Sequence, residues 1–478
     1  MLIPIQMKKN QLKIVLAVIS VSTFISCSVS KDTPLPATAI PESFRGASTT
    51  TDSSSIADIS WKDFYTDAAL RTLIDSAITR NNDLQIAIKN IDIAQKKYAQ
   101  SKWNNVPRLD LAVTGSTTNP SDNSFTGKNL GQALGQQHLD DYSTSLSLSW
   151  EADIWGKIKS QNKEAFATYL QSEEVRKAVK TAVVADVSKG YYNLLMLDSQ
   201  LAIAKKNVQL NDSTTTIIKL QYDSGMVSSL AIQQSEALKL NAQQLVPKLE
   251  QNIAIQENAL SVLTGEFPNS KERSASIKSM KIKDSLAIGF PSSLVQKRPD
   301  VHSAELALQI ANARVGINKA NLYPSLKITA QAGLNSFELS NWFTMPASLF
   351  GTALGGLTQP IFNNKKLRTN YNIAKIEREK AVIQFRQTVL IAVSEVADAM
   401  VKLEKLQDQI AFLQQRVTIL NKATFNATLL FKNGMADYLE VLTAQANVLQ
   451  AELELANLER EQLSNNTELY KALGGGWQ

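Results

Sequence analysis

Apolar residues recur at helical spacing over most of this chain and at strand spacing in a few short regions. Between Asp67 and Trp103 they come three or four positions apart, which predicts two short helices, and Pro107 ends the second. Leucine and valine then alternate with polar residues, which predicts a strand. A second strand follows a long link rich in glycine, asparagine, serine and glutamine. The apolar positions of the two strands are Leu109, Leu111, Val113, Leu146, Leu148 and Trp150.

The longest predicted element is a helix from about residue 157 to residue 221. No proline occurs between Pro120 and Pro247, and roughly 65 helical residues would extend about 100 Å. A helix of this length can bury its apolar stripe only against other long helices. Pro247 lies in the returning helix, where we expect it to remove one backbone hydrogen bond and kink the chain.

The two halves of the chain repeat each other. Residues 157–265 align with residues 366–474 at a constant offset of 209 positions and without gaps. A helix and two strands precede each aligned copy, and in the second half the strands are expected at residues 326–329 and 349–357. This duplication predicts long helices stacked around an axis rather than a catalytic domain.

Four strands with one apolar face each do not close into a barrel alone. An open sheet edge in a bilayer would leave N–H and C=O groups without partners, so closure requires several chains. Three chains would supply twelve strands, an acceptable even number for a barrel. The polar helix faces would then line a wet lumen, although the pattern itself does not fix the number of chains.

Charge and composition exclude several classes of function. The net charge of +6 falls to about +3 without Lys8, Lys9 and Lys13, and no basic run is dense enough to indicate nucleic acid. His138 and His302 lie far apart in sequence, so a metal site is not expected. The chain shows no nucleophile–base spacing, metal cluster or phosphate loop. We therefore expect no enzyme activity, no metal and no cofactor.

The beginning of the chain has the features of a targeting segment. A basic region precedes an apolar run of about 12 residues, too short for a membrane-spanning helix. The run ends at Cys27, the single cysteine, which resembles the lipid-acceptor position of bacterial lipoproteins. We interpret residues 1–26 as a signal peptide, Cys27 as the lipidation site and residues 27–60 as a lipid-anchored flexible tether.

Several short segments are recognisable in order along the chain: residues 150–157 (WEADIWGK), 245–250 (LVPKLE), 260–265 (LSVLTG), 297–301 (KRPDV), 304–305 (AE), 323–326 (YPSL), 357–362 (LTQPIF) and 431–445. Together they resemble the segments of TolC-type outer-membrane efflux channels, in particular the lipid-anchored branch that serves resistance–nodulation–division pumps. Two departures occur: Lys297 stands where the family usually has arginine, and Asn363-Asn364 replaces a glycine-containing turn.

The resemblance implies a mainly α fold with a small β part. Three chains would form a 12-stranded outer-membrane barrel continuous with a periplasmic α-helical barrel. It also implies a homotrimer in outer-membrane lipid, a periplasmic adaptor and an inner-membrane resistance–nodulation–division pump as partners. The expected organisation is a first repeat at 61–265, an equatorial connecting segment at 266–292, a second repeat at 293–474 and a tail at 475–478.

The hairpin turns are the candidate docking tips. The resemblance places them where an adaptor binds; the alternatives are ordinary helix capping by the glycines and intramolecular packing of the apolar residues. The resemblance also makes Glu440 a candidate gate, with Asp437 and Asp223 as possible contributors, although charges near helix ends are commonly just solvated. The candidate tip residues are Gly225, Met226, Leu230, Gly434, Met435 and Leu439.

Three functions remain open from the sequence. The first is the outer-membrane channel of a tripartite efflux pump, a passive conduit for drugs or other toxic compounds. The second is a type I secretion, metal or metabolite export channel of the same fold. The third is a structural helical lipoprotein without a pore. The exported substrate is not specified by the chain, because the pump largely selects it.

Overall fold

The computed structural model describes residues 55–135, 137–280 and 293–478, so the signal peptide, Cys27 and most of the tether lie outside the described residues. The chain divides into two units. The first consists of Ile93–Tyr169 and Leu306–Val382. The second consists of the described parts of Ala37–Asp92, Leu170–Glu305 and Ile383–Gln478.

The first unit contains one antiparallel sheet whose four strands pair in sequence order. Leu111 lies opposite Leu146, and Leu146 lies opposite Ala332, so apolar positions fall on the same face across neighbouring strands. The register confirms the predicted apolar face. The strands are β1 (Arg108–Thr118), β2 (Leu139–Ala152), β3 (Ser325–Ser336) and β4 (Leu349–Thr358).

The other face of the sheet is mainly polar in β1 to β3. Ser147 pairs with Asp110 on one side and with Gln331 on the other. The Gln331 amide also donates a hydrogen bond to Ser145 Oγ at 2.8 Å. β4 departs from this pattern, because it places Phe350 and Leu354 on the same face.

The predicted duplication of the helical hairpins is confirmed. Each half contains a 67-residue helix followed by a 35-residue helix, and all four boundaries recur at the offset of 209. The helices are α1 (Trp61–Phe64), α2 (Ala68–Arg80), α3 (Asn82–Trp103), α4 (Phe125–Leu134), α5 (Lys157–Asp223), α6 (Ser229–Leu263), α7 (Leu294–Lys297), α8 (Pro299–Ala320), α9 (Lys366–Lys432) and α10 (Tyr438–Ala472).

The helix in the link between β1 and β2 was not anticipated. The link between β1 and β2 was expected to be a long loop, but it contains α4. Ser124 caps this helix, because its Oγ accepts a hydrogen bond from the Gly127 N–H at 3.1 Å. The glycines of the link obscured the helix in the sequence, since glycine disfavours helix interiors.

The tether is shorter than predicted, because the folded body begins by Ser55. Ile56 and Ala57 are buried in the main core of the second unit. Asp58 forms an ion pair with Lys297, whose Nζ lies 2.7 Å from Asp58 Oδ1. Residues 55–60 therefore belong to the packed body and not to a flexible segment.

The described part of the connecting segment, residues 266–280, packs within the second unit. Arg273 donates hydrogen bonds to Asp198 at 2.9 Å and to Glu257 at 2.6 Å.

Pro247 lies inside α6, as predicted. Across the described ranges, no helix is both long enough and apolar enough to cross a membrane.

Candidate functional site

Both hairpin turns end their long helix with the same hydrogen-bonded motif. Gly225 and Gly434 have φ angles of 70° and 71°, a region that a Cβ makes costly. The N–H of Met226 donates to the Gln221 carbonyl at 2.8 Å, and the N–H of Met435 donates to the equivalent carbonyl of Leu430 at 2.9 Å. These bonds satisfy carbonyls that the helix ends leave unpaired.

The apolar residues of the turns face solvent within the chain. In this type of helix end the residue after the glycine commonly packs back on the helix. Here Met226 is 74% exposed and Met435 is 68% exposed. Leu230 and Leu439, which begin the returning helices, are about half exposed. Intramolecular packing therefore does not account for the apolar character of Met226 and Met435, and it accounts only in part for that of the two leucines.

A small apolar cluster holds the ends of the two hairpins together. Ile218 and Ala231 from the first half pack with Phe431, Val441 and Leu442 from the second half. The two turns that the sequence placed 209 residues apart therefore belong to one local structure. Tyr438 adds a polar contact across the pair, because its hydroxyl donates to Gln234 Oε1 at 2.9 Å.

The candidate gate carboxylates are all exposed, but they differ in their local roles. Glu440 lies in the first turn of α10, where a negative charge is favourable. Asp437 precedes this helix and accepts a hydrogen bond from the Leu439 N–H at 3.5 Å. Asp223 is the last residue of α5. Ala231, the first-half equivalent of Glu440, is fully buried, so the two halves differ at this position.

A buried arginine outside the predicted sites connects three elements of the second unit. Arg298 donates to both carboxylate oxygens of Asp300, at 3.0 Å and 2.6 Å, and to Glu395 of α9 at 2.7 Å. It also donates to the Ala472 carbonyl at the end of α10 at 3.0 Å. The resemblance singled out this segment, but sequence spacing gave no sign that residues 395 and 472 would meet it.

The electrostatics of this cluster favour its charged form. Burial alone would raise the pKa of the Asp300 carboxyl, but the hydrogen bonds and charge of Arg298 outweigh it and hold that pKa below its usual range. Burial alone would lower the pKa of the Arg298 guanidinium, but its partners Asp300 and Glu395 outweigh this effect and raise that pKa. The cluster is therefore a charged clamp that connects three helices.

Aromatic side chains mark the end of the sheet where β2 leads to α5. The indole N–H of Trp155 donates to the Pro324 carbonyl at 2.7 Å, and its ring stacks on Tyr323 with centroids 4.9 Å apart. Asp153 caps α5 by accepting from the N–H groups of Ile158 and Lys159 at 2.8 Å and 2.9 Å. Aromatic residues of this kind are enriched at membrane–water interfaces.

Comparison with known proteins assigns most of the folded body to one family. The family model described as outer membrane efflux protein matches residues 73–266 and 290–475. The chain is 29% identical to the cation efflux system protein CusC of Escherichia coli over 460 residues, which cover 95% of this chain and 96% of that protein. It is 30% identical to the solvent efflux pump outer membrane protein SrpC of Pseudomonas putida over 420 residues, or 87% of each chain.

Solved structures agree with this assignment. A CusC crystal structure superposes with a TM-score of 0.82 at 27% identity over 94% of this chain and 100% of that chain. A Pseudomonas aeruginosa membrane protein gives 0.83 at 28% identity over 94% and 98%. The MtrE outer membrane channel of Neisseria gonorrhoeae, at 24% identity, shares the fold with a TM-score of 0.83 over 95% and 99%. The chain therefore belongs to the outer membrane efflux protein family and is an efflux channel of the outer membrane.

Proposed function

We propose that this chain acts as a homotrimer, the passive outer-membrane conduit of a tripartite efflux system. Its partners would be a periplasmic adaptor protein and an inner-membrane resistance–nodulation–division pump. The channel itself performs no chemistry in this proposal, because the pump supplies the driving force. Its role is to provide a continuous polar path for the cargo.

The open sheet carries the proposal of a trimer. β1 and β4 form the two edges, and within the described residues neither edge has a partner strand. A bilayer offers no hydrogen bonds to these edge groups, so further copies of the chain must pair with them. Three copies supply twelve strands, an even number like that of single-chain bacterial outer-membrane barrels.

The oligomer is tested by light scattering on the detergent-solubilised protein. We expect a protein mass three times that of one mature chain. Monomer as the dominant species at micromolar concentration, or a stable dimer, would contradict the proposal. Planar-bilayer recordings on the same sample test the conduit, because a non-pore lipoprotein would give no conductance.

The hairpin turns are proposed as the adaptor-docking surface. The exposure of Met226 and Met435 supports this role, since an apolar side chain that is mostly exposed in its own chain is suited to an interface. Gly225 and Gly434 would fix the turns, and Leu230 and Leu439 would extend the contact. Photo-crosslinkers at positions 226 and 435 should capture the adaptor in cells, and the absence of crosslinks from both positions would contradict docking there.

Glu440 is proposed as the periplasmic gate, with Asp437 and Asp223 contributing charge. In a trimer each position would be present three times, and three close carboxylates would repel one another or attract cations. Exposure of Glu440 within the single chain is compatible with either behaviour. Conductance measurements on the Glu440 variants described below test the role.

Cys27 is proposed to carry the lipid anchor of the mature protein. This follows from its position at the end of the apolar leader. Mass spectrometry of the mature N-terminus should find a lipid-modified cysteine at this position. An unmodified thiol, or cleavage elsewhere, would contradict the proposal.

The proposed cargo is a small toxic molecule, and the named relatives give two classes of candidate. SrpC is a solvent efflux protein and CusC is a cation efflux protein. Deletion of the gene should increase sensitivity to solvents and dyes if the first class applies, and to metal cations if the second applies. Unchanged sensitivity to both, with loss of a secreted protein, would favour the type I secretion alternative.

A further inference from the structure

Two large apolar residues follow the last strand and contact almost nothing in the chain. Ile361 is 93% exposed and Phe362 is 83% exposed. Leu357, three residues before Pro360, lies on the apolar face of β4 opposite Leu326. The apolar surface of the sheet therefore continues past the end of β4 into the connection with α9.

Three basic residues follow this apolar pair, after Asn363 and Asn364. Lys365, Lys366 and Arg368 are exposed, and their side chains form no ion pair or hydrogen bond with any described residue. The first turn of α9 contains no acidic residue. Positive charge at a helix N-terminus is unfavourable because it opposes the helix dipole. Helix stability therefore does not explain these cations.

In the first half of the chain, one of the two equivalent cations is paired with a carboxylate. Lys157 and Lys159 are equivalent to Lys366 and Arg368 at the offset of 209. Lys157 forms an ion pair with Glu151 at 3.0 Å, and Asp153 caps the same helix.

In the second half the connection between strand and helix has seven residues instead of four, and it contains no acidic residue. The second junction therefore keeps the basic positions, lacks their acidic neighbours and exposes an apolar pair. We call residues 359–368 the β4–α9 junction.

The backbone of the junction is also held in an unfavourable conformation. Lys365 has a φ angle of 61° and Asn364 one of 43°, both in the left-handed region. The first-half equivalent of Lys365 is Gly156, at 74°. Glycine adopts this conformation without a Cβ penalty, whereas lysine does not. The second half thus places a cation where the backbone favours glycine.

We propose that the β4–α9 junction is a binding surface for anionic phospholipid in the outer membrane. Ile361 and Phe362 insert among the acyl chains, and Lys365, Lys366 and Arg368 bind the phosphate and acidic headgroups beside them. An amphiphile with a negative headgroup satisfies both parts of this surface, whereas a soluble anion leaves the apolar pair in water. The proposal depends on the outer-membrane location and not on the pump partners.

The binding is tested on the intact detergent-solubilised protein by native mass spectrometry during titration with phosphatidylglycerol or phosphatidylcholine. The wild type should bind the anionic lipid selectively. The triple variant Lys365→Gln, Lys366→Gln, Arg368→Gln should bind it about a hundredfold more weakly, because each cation near an anionic surface contributes about fivefold. The matched control Lys157→Gln, Lys159→Gln should retain at least most of the selectivity.

Three results would overturn the proposal. The wild type could show no preference for phosphatidylglycerol, or the triple variant could keep the full preference. Inorganic phosphate could also displace the lipid at equal concentration, which would identify a simple anion site.

Lys365→Gly separates lipid binding from folding. Removing the strained side chain should leave the melting temperature unchanged or raise it, while the affinity for phosphatidylglycerol falls about fivefold. A lower melting temperature with unchanged lipid affinity would show that Lys365 has a structural role instead, and the proposal would fail for this residue.

Insertion of the apolar pair is tested separately in vesicles. The cysteine introduced by Phe362→Cys is labelled with a fluorophore, and a nitroxide-labelled phospholipid serves as the quencher. Cys27 is the only native cysteine, so the parent protein gives the labelling background. Quenching comparable with that of Leu111→Cys on the apolar face of β1 supports insertion. No quenching, with Leu111→Cys quenched, would show that another copy of the chain covers Phe362.

Discussion

Arg298 Nη1 donates a hydrogen bond of 2.7 Å to Glu395 Oε2, although 97 positions separate the two residues. The same guanidinium binds Asp300 and the last carbonyl of α10. Three elements distant in sequence are thus fixed by one buried cation. Breaking such a cluster by removing its central charge exposes the desolvation cost of every group left behind.

Arg298→Met should destabilise the folded chain by about 2 kcal/mol or more. The partners Asp300 and Glu395 are partly exposed, so the loss in free energy of unfolding should be smaller than for a fully buried ion pair. The measurement is the melting temperature in detergent, with the unfolding rate as a second reading. Arg314→Met is the control, because Arg314 pairs with Glu164 at 2.8 Å on an exposed surface and should cost less than about 1 kcal/mol. Equal effects of the two variants would refute the clamp.

The clamp also predicts the direction of acid sensitivity. Because the pKa of Asp300 is lower in the folded chain than its ordinary value of 3.8, the unfolded chain binds the proton more readily between these two values. The stabilisation is therefore complete above the ordinary pKa and is lost as pH falls through the folded pKa. Melting curves from pH 5 to pH 3 should fall more steeply for the wild type than for Asp300→Asn. Parallel curves would argue against this linkage.

Charge at the hairpin turns should weaken docking without unfolding the chain. Met226→Asp with Met435→Asp changes two exposed positions, so the melting temperature should stay within about 1 °C. Binding to the adaptor should weaken at least tenfold, because a carboxylate buried without a partner in an apolar interface has a large desolvation cost. The control variant Met226→Leu with Met435→Leu preserves the apolar surface and should bind the adaptor normally. Normal efflux by the Asp variant would exclude the turns as the docking surface.

Glu440→Ala should raise the single-channel conductance or the open fraction in planar bilayers, because it removes three carboxylates from the proposed trimer. Glu440→Asp retains the charge and serves as the control. Since the residue is exposed, thermal stability should change by less than about 0.5 kcal/mol. Identical conductance of the wild type and both variants would show that Glu440 does not act as a gate.

Sequence patterning was sufficient for the repeated elements because each depends on local periodicity. The boundaries of the long helices and the apolar face of the strands follow from spacing, and the glycine turns follow from the cost of a Cβ. Helix α4 was missed because its glycines weakened the helical signal. The buried start of the body was missed because Ile56 and Ala57 are too few to be recognised as core in a polar segment.

The sequence by itself determined the duplication, the helical and strand elements and the positions of both turns, since these follow from residues close together in the chain. Tertiary structure alone decided which distant residues meet. It brought Arg298 to Glu395, buried Ala231 while leaving its counterpart Glu440 exposed, and left Lys365 unpaired where Gly156 stands in the first half. Burial and charge pairing depend on what packs against a position, and a repeat in sequence does not impose the same neighbours twice.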